Sequence, residues 1–362
     1  MQHTACYDWH VSHGGRMVDF AGWEMPIQYT SIIEEHHAVR TAAGMFDIAH
    51  MGRLFFSGPD ACDFLDSLVT NDVTKIAEGQ IRYSLVTNEQ GGILDDVLIY
   101  RFPEEYLVVV NASNREKIVQ WFLQHKENFQ VTMDDRTLSD FMFAIQGPLA
   151  VEILNPLIDT DISQIKYYWA TATHFLDVPV LVSRTGYTGE DGFEVIVSGE
   201  HATEVWKTTI NEGKDRGILP TGLGCRDTLR LEAAMPLYGH EMDESVEPYT
   251  AGLGFGVRLK AGDFIGKDAL VAAKAKPDKP VRIGLEMQGK RIAREGANIL
   301  SGENKIGEVT SGTFSPTFQK PLAMGYVPAA NSTPGSELTI DIRGKVVGAK
   351  VVELPFYKRE TS

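Results

Sequence analysis

The stretch that most restricts the fold is Asn88-Glu89-Gln90-Gly91-Gly92-Ile93-Leu94-Asp95-Asp96-Val97-Leu98-Ile99-Tyr100. Asn88 to Gly92 carries turn chemistry, because glycine and asparagine tolerate positive φ. From Ile93 onward, β-branched and apolar side chains surround two aspartates, which predicts a buried strand. Alternation puts Leu94, Asp96, Leu98 and Tyr100 on one face and Ile93, Asp95, Val97 and Ile99 on the other. A central strand of this kind carries at least one carboxylate into apolar surroundings, at a cost unless a partner meets it. Periodicity alone does not choose between the aspartates. Nor does it choose between a structural pair and a carboxylate presented to a ligand.

The flanking chain alternates strand and helix. The pattern predicts a helix over 31–43 with Ser31 as N-cap and Glu34 in the capping-box position. It then predicts a strand over 53–56, a helix over 61–69, a strand over 106–111 and a helix over 115–126 capped by Ser113. Further strands are expected over 178–184 and 192–197, with a helix over 201–212. This is an α+β arrangement with an antiparallel or mixed sheet. Residues 274–280, charged and proline-bearing, read as a linker. Beyond them, short β-like runs at 282–285, 298–300, 307–310, 338–342 and 346–352 lie between glycine turns, as in a small all-β barrel or sandwich.

Length adds a domain count: 362 residues suit two or three domains. The formal charge of −15 disfavours non-specific binding to nucleic acid or to an anionic membrane. Cys6, Cys62 and Cys225 stand far apart and in no CxxC spacing, which argues for a reducing compartment and against a disulfide framework or structural zinc. Met1 to Asp8 contains no apolar signal region, and no apolar run reaches membrane-spanning length. The expectation is a cytoplasmic protein, or a processed organellar one of the mitochondrial matrix.

Most familiar catalytic patterns are missing. Gly222-Leu223-Gly224 and Gly252-Leu253-Gly254-Phe255-Gly256 lack the complete GxGxxG spacing, and no Walker A or GxSxG motif occurs. His36 and His37 lie outside any HExxH pattern, so no metal site is expected. What remains is a set of charges in punctuated, aromatic-rich places: Asp96, Glu194, Arg226, Arg230 and Glu232. With Tyr83, Tyr187 and Trp23 they suit a pocket for a flat, polar heteroaromatic ligand.

Several ordered motifs carry a family resemblance. They are Met17-Val18-Asp19-Phe20-Ala21-Gly22-Trp23-Glu24-Met25-Pro26, His37-Ala38-Val39-Arg40, Gly44-Met45-Phe46-Asp47 with His50-Met51, and Gly91 to Asp96. Further on come Arg184 to Glu194, Arg226 to Ala233, Leu237-Tyr238-Gly239 with Glu241 to Glu244, and Thr310 to Thr317. Through these the chain resembles, from end to end, the aminomethyltransferases (T-proteins) of the glycine cleavage system.

The resemblance implies a three-domain, cloverleaf-like α+β fold with folate in a central channel. Nominal regions are 1–140, 141–276 (interleaving with the first) and a barrel over 277–362. It implies transfer of the methylene of aminomethyl-dihydrolipoyl H-protein to tetrahydrofolate with release of ammonia. The implied partners are therefore folate and the lipoylated H-protein. Matched residue by residue, the key aspartate is Asp96, with Asp95 as its structural partner. Glu194 and Arg226 match folate-contacting positions, and Tyr83, Asn111, Tyr187 and Met51 match pocket walls. The chain departs from the usual pattern at Ala49, at His240 and at Phe318-Gln319-Lys320-Pro321. Rival readings on the same fold are another folate-dependent one-carbon transferase or demethylase, and a non-enzymatic folate-binding protein of iron–sulfur assembly. The latter's Lys-Gly-Cys-Tyr-x-Gly-Gln type motif is absent, and Cys225 then reads as a small buried residue.

Overall fold

A computed structural model of the protein describes residues 1–360. Two sheets form its centre. One has five strands, in the order Ile81–Thr87, Ile93–Arg101, Glu105–Val110, Gly52–Ser57 and Thr132–Asp135. The other has six: Ala170–Phe175, Val178–Ser183, Gly192–Ser198, Asp140–Gln146, Ala43–Asp47 and Ile218–Thr221. Helices Ala61–Leu68 and Arg115–Gln124 cover the outer face of the first, burying Phe64, Leu65, Ile118 and Phe122. Helix Ala202–Gly213 covers the second through Val205 and Trp206. The inner faces meet through Phe46, Phe55, Ile81, Tyr100, Val109, Met142, Ala144 and Ile196. Anything polar on those inner faces enters an apolar layer, and the site is built there.

The five-stranded sheet owes its register to the turn before the aspartate strand. Asn88 Oδ1 accepts from the N–H groups of Gln90 and Gly92, at 3.0 and 2.9 Å. Gly91 adopts φ +82°, and a Cβ on Gly92 would lie 1.8 Å from the Glu244 carbonyl oxygen. Only glycine fits both positions. The expected alternation fails at one residue. Val86 faces Asp95 while Thr87 faces Ile93, so Leu94 is the extra residue of a β-bulge. The bulge sends Leu94 into the core with Val97 and Ile99, and turns Ile93 toward Leu85 and Met242.

The linear boundary at 140 does not follow the sheets. Ala43–Asp47 pairs with Asp140–Gln146 and Ile218–Thr221, inside the six-stranded sheet. Met242, Ala251, Leu253, Val257 and Phe264 pack instead against Leu85 and Ile93 of the five-stranded one. The two regions exchange segments, so no single cut separates them.

The last helix, Lys267–Ala275, ends at the expected linker, and a closed six-stranded barrel follows. Its strands are Pro280–Met287, Asn298–Ser301, Asn304–Ser315, Lys320–Pro328, Glu337–Ile342 and Lys345–Val352. The strand Lys320–Pro328 has no sequence expectation behind it, because its small residues and terminal prolines hide the pattern. Two other expectations change. Arg115–Gln124 is preceded by Asn114, not capped by Ser113, because the Asn114 amide is drawn to a buried carboxylate. The helix expected over 31–43 ends at Thr41, and the strand Ala43–Asp47 takes up its last expected position. The expected helix start is kept: Ser31 accepts from Glu34 N–H at 3.1 Å.

Candidate active site

Asp95 and Asp96 point to opposite faces of their strand, and the amide of Asn111 spans both. Its Nδ2 donates to Asp95 Oδ1 at 2.8 Å and to Asp96 Oδ1 at 2.7 Å. Asp95 is fully buried on the helix side, where the Asn111 N–H (3.0 Å) and Asn114 Nδ2 (2.6 Å) also donate to it. Three donors with no outlet to solvent mark it as the structural member. Asp96 is half-buried between the sheets and accepts from the Tyr83 hydroxyl at 3.2 Å. Burial raises both carboxyls above the ordinary aspartate value, and for Asp95 the neighbouring Asp96 charge adds to the rise.

The opposing sheet supplies Glu194, whose strand neighbours are Ala144 and Ser183. Its Oε2 accepts from the Thr185 hydroxyl at 2.6 Å, and Oε1 has no protein donor among the described residues. Burial raises the Glu194 carboxyl; Thr185 and the Arg226 charge pull the other way. Arg226 comes from helix Leu223–Glu232 and lies over the Tyr187 ring, 4.8 Å from guanidinium carbon to ring centroid. Its guanidinium makes no hydrogen bond to protein among the described residues. The Tyr187 hydroxyl is tied to the Pro236 carbonyl at 2.5 Å, which fixes the ring beneath it. By strand alternation Asp96 lies on the face of Leu98 and Tyr100, and Glu194 on the face of Ile196, so the two carboxylates stand on the inner faces of the two sheets.

The structure therefore brings together Asp96, Tyr83 and Asn111 by direct bonds, and Glu194, Arg226 and Tyr187 across from them. Met51 is half-buried at the same inter-sheet layer. Arg230, Glu232 and Trp23 do not join the pocket. Arg230 spends its donors on Asp227, Glu241, the Met235 carbonyl and Ser311. Glu232 is taken up by Arg40, His36, Ser315 and Thr317 at the barrel junction. Trp23 is buried in the hairpin Arg16–Gln28. His36 belongs to that junction too, bonding Thr228 and Thr317.

Two residues went unnoticed in the sequence. Tyr168 holds φ +62°, an uncommon conformation for an aromatic residue. Its carbonyl accepts from Ile81 N–H and its N–H donates to the Arg184 carbonyl, so it stitches the two sheets together. Burial raises its phenol, and Tyr167, Glu194 and Asp96 add to the rise. Phe255, 61% exposed on a short glycine-flanked turn, stacks on Tyr83 with centroids 5.2 Å apart. The glycine run around it is the available signal in the sequence.

Residues 6–261 match the family described as the GCVT N-terminal domain, and residues 281–358 match the glycine cleavage T-protein C-terminal barrel domain. An aminomethyltransferase of Desulfitobacterium hafniense is 44% identical over 361 residues, 99% of each chain. One from Symbiobacterium thermophilum is 46% identical over 368 residues, 99% of this chain and 98% of its own. The crystal structure of the glycine cleavage system aminomethyltransferase T from Bartonella henselae superposes with a TM-score of 0.92 at 32% identity, covering 99% of this chain and 98% of that one.

Proposed function

The chain belongs to the glycine cleavage T-protein (aminomethyltransferase) family, and from that premise we propose how its own residues carry the transfer. The substrate is the aminomethyl group on the lipoyl arm of a carrier H-protein, and tetrahydrofolate is the acceptor. The carbon's bonds to sulfur and to the amine nitrogen break, and bonds to folate N5 and N10 form. The two protons that leave N5 and N10 end on the dihydrolipoyl sulfur and on ammonia, so the step balances without an oxidant.

Positive charge builds on the S–CH2–N unit as the first bond breaks. A carboxylate fixed beforehand in a dry site stabilises that charge without reorganising. Asp96 has this arrangement, with Tyr83 and Asn111 holding one oxygen each. Its raised pKa also suits it to relay a folate proton near neutral pH. Glu194 Oε1 fits the N3–H and 2-amino edge of a pterin, and Arg226 fits a carbonyl or carboxylate. Tyr187, Met51 and Phe255 supply the flat apolar walls. The observation that carries the assignment is Asp96 itself, presented to the inter-sheet space opposite an unpaired Glu194–Arg226 set. Bacterial relatives and three free cysteines support a cytoplasmic location.

Ammonia release from aminomethylated H-protein, followed with and without tetrahydrofolate, tests this. Folate-dependent release with formation of 5,10-methylenetetrahydrofolate is expected. D96N should fold, bind folate and lose turnover by about 10²–10³-fold. Unchanged turnover in D96N sinks the role given to Asp96.

A further inference from the structure

The turn from Ile48 to Met51, between strands Ala43–Asp47 and Gly52–Ser57, is fastened from both sides by buried charges. The Asp47 carboxylate accepts the Ala49 N–H at 2.9 Å and is itself anchored by the Thr4 hydroxyl (2.6 Å) and His10 Nε2 (2.8 Å). From the other side, Arg53 donates to the carbonyls of Ala49 (3.1 Å) and Met51 (2.6 Å). The Met51 N–H closes the turn on the Ile48 carbonyl at 3.0 Å. A four-residue segment held this way fixes the side chains it carries.

One of them is His50. It is 2% exposed, and its Nδ1 is sealed from solvent with no hydrogen-bond partner. No protein group among the described residues bonds its Nε2 either. Phe20 packs edge-on against the ring, 5.4 Å between centroids. Buried imidazoles ordinarily have their nitrogens matched. Burial, and then the nearby Arg226 guanidinium, push its pKa down to about 3, so the ring is neutral. A neutral ring has one N–H and one lone pair. An orphaned buried N–H is rarer than an orphaned acceptor, which puts the lone pair on Nδ1 and the proton on Nε2.

We propose that His50 is a folate-contacting residue whose Nε2–H donates a hydrogen bond to an acceptor atom on the pterin edge that Arg226 also meets. This deepens the folate reading above and rests on it. A neutral N–H donor beside the half-buried Met51, in the layer where the two sheets meet, suits a carbonyl oxygen or ring nitrogen, as the unbonded Arg226 guanidinium does. Neither donor suits the cationic amine end of the carrier's arm, which Arg226 repels and to which an N–H offers nothing. His50 is thus a binding residue for the acceptor substrate, distinct from Asp96, which faces the transferred carbon.

The test uses the full chain and 5-formyltetrahydrofolate, an oxidation-resistant probe, titrated into wild type, H50Q and H50F. Glutamine returns an N–H near the position of Nε2, and phenylalanine keeps the ring without one. H50Q should bind within about threefold of wild type, and H50F about 10–100-fold more weakly, with the KM for aminomethylated H-protein unchanged in both. A merely structural His50 would instead lower thermal stability in both variants and leave probe affinity alone. Nitrogen NMR of 15N-histidine-labelled wild type gives a second reading: the Nε2 resonance missing from H50Q should move on probe addition. Normal binding by H50F, equal losses in H50F and H50Q, or an unmoved Nε2 resonance overturns this inference alone. A wild-type chain that does not bind the probe overturns the folate reading and this inference with it.

Discussion

At the scale of single residues, the Asn111 amide divides its two N–H groups between two carboxylates. One amide cannot fully offset two buried negative charges, so the pair ionises late. Asp96 is lifted from 3.8 to about 6. A raised folded pKa means stability that is complete below the unfolded value and is lost as pH rises through about 6. D96N should therefore stabilise the fold at pH 8 by about 1–3 kcal/mol and not at all near pH 3.5, measured by thermal melts across that range. The acid limb of kcat/KM should fall near pH 6 in wild type. It should stay near pH 6 in D95N, because Asp95, lifted to about 7 by burial and the Asp96 charge, is still largely protonated when Asp96 ionises; a limb that moves to lower pH would mean that the two carboxyls titrate in the opposite order. The aspartate pair and its turn were legible in the sequence, because Gly91 and Gly92 have no substitute there. The face each side chain takes was legible only as far as Asp95, since the bulge at Leu94 leaves no mark in the hydrophobic pattern.

At the scale of elements, helix Leu223–Glu232 divides its charges between two tasks. Arg226 faces the site, while Arg230 and Glu232 bolt the barrel to the sheets. Spacing of four residues puts Arg226 and Arg230 on neighbouring parts of one helix face, which is why the sequence suggested a common pocket. Their partners separate them: Glu241 and Ser311 arrive from chain segments that no local pattern connects to the helix. Burial alone would raise the Glu232 carboxyl, but His36, Ser315 and Arg40 together hold it down to about 2. E232Q takes the carboxylate from beside His36 and leaves Arg40 with Glu190 alone, and about 3 kcal/mol of stability should be lost in urea unfolding near neutral pH. A depressed pKa gives stability that is lost as pH falls. The difference from wild type should therefore close between about pH 4.5 and about pH 2. A difference independent of pH would assign the loss to packing.

At the scale of the whole molecule, the linker stands out in the sequence because charge and proline coincide there. The segment exchange between the two sheets leaves no local signal in the sequence, because it pairs residues about a hundred positions apart. Lys276, Pro277 and Asp278 are exposed between helix Lys267–Ala275 and the barrel. The barrel is nonetheless held elsewhere, by Arg230 on Ser311, Thr310 on Glu241 and the Tyr357 N–H on the Glu232 carbonyl. An Asp-specific endoproteinase cutting ahead of Asp278 should yield two fragments that co-elute on gel filtration and keep activity. Separation of the fragments would mean that the peptide link, rather than the junction, holds the barrel in place.

The strand Ala43–Asp47 also bears on how the chain is made. It is translated early, but its neighbours are Asp140–Gln146 on one side and Ile218–Thr221 on the other. A nascent chain therefore exposes both edges of this largely apolar strand for some hundred codons, and one edge for some seventy more. Until Thr221 clears the ribosome, this strand keeps an open edge that a chaperone can cover.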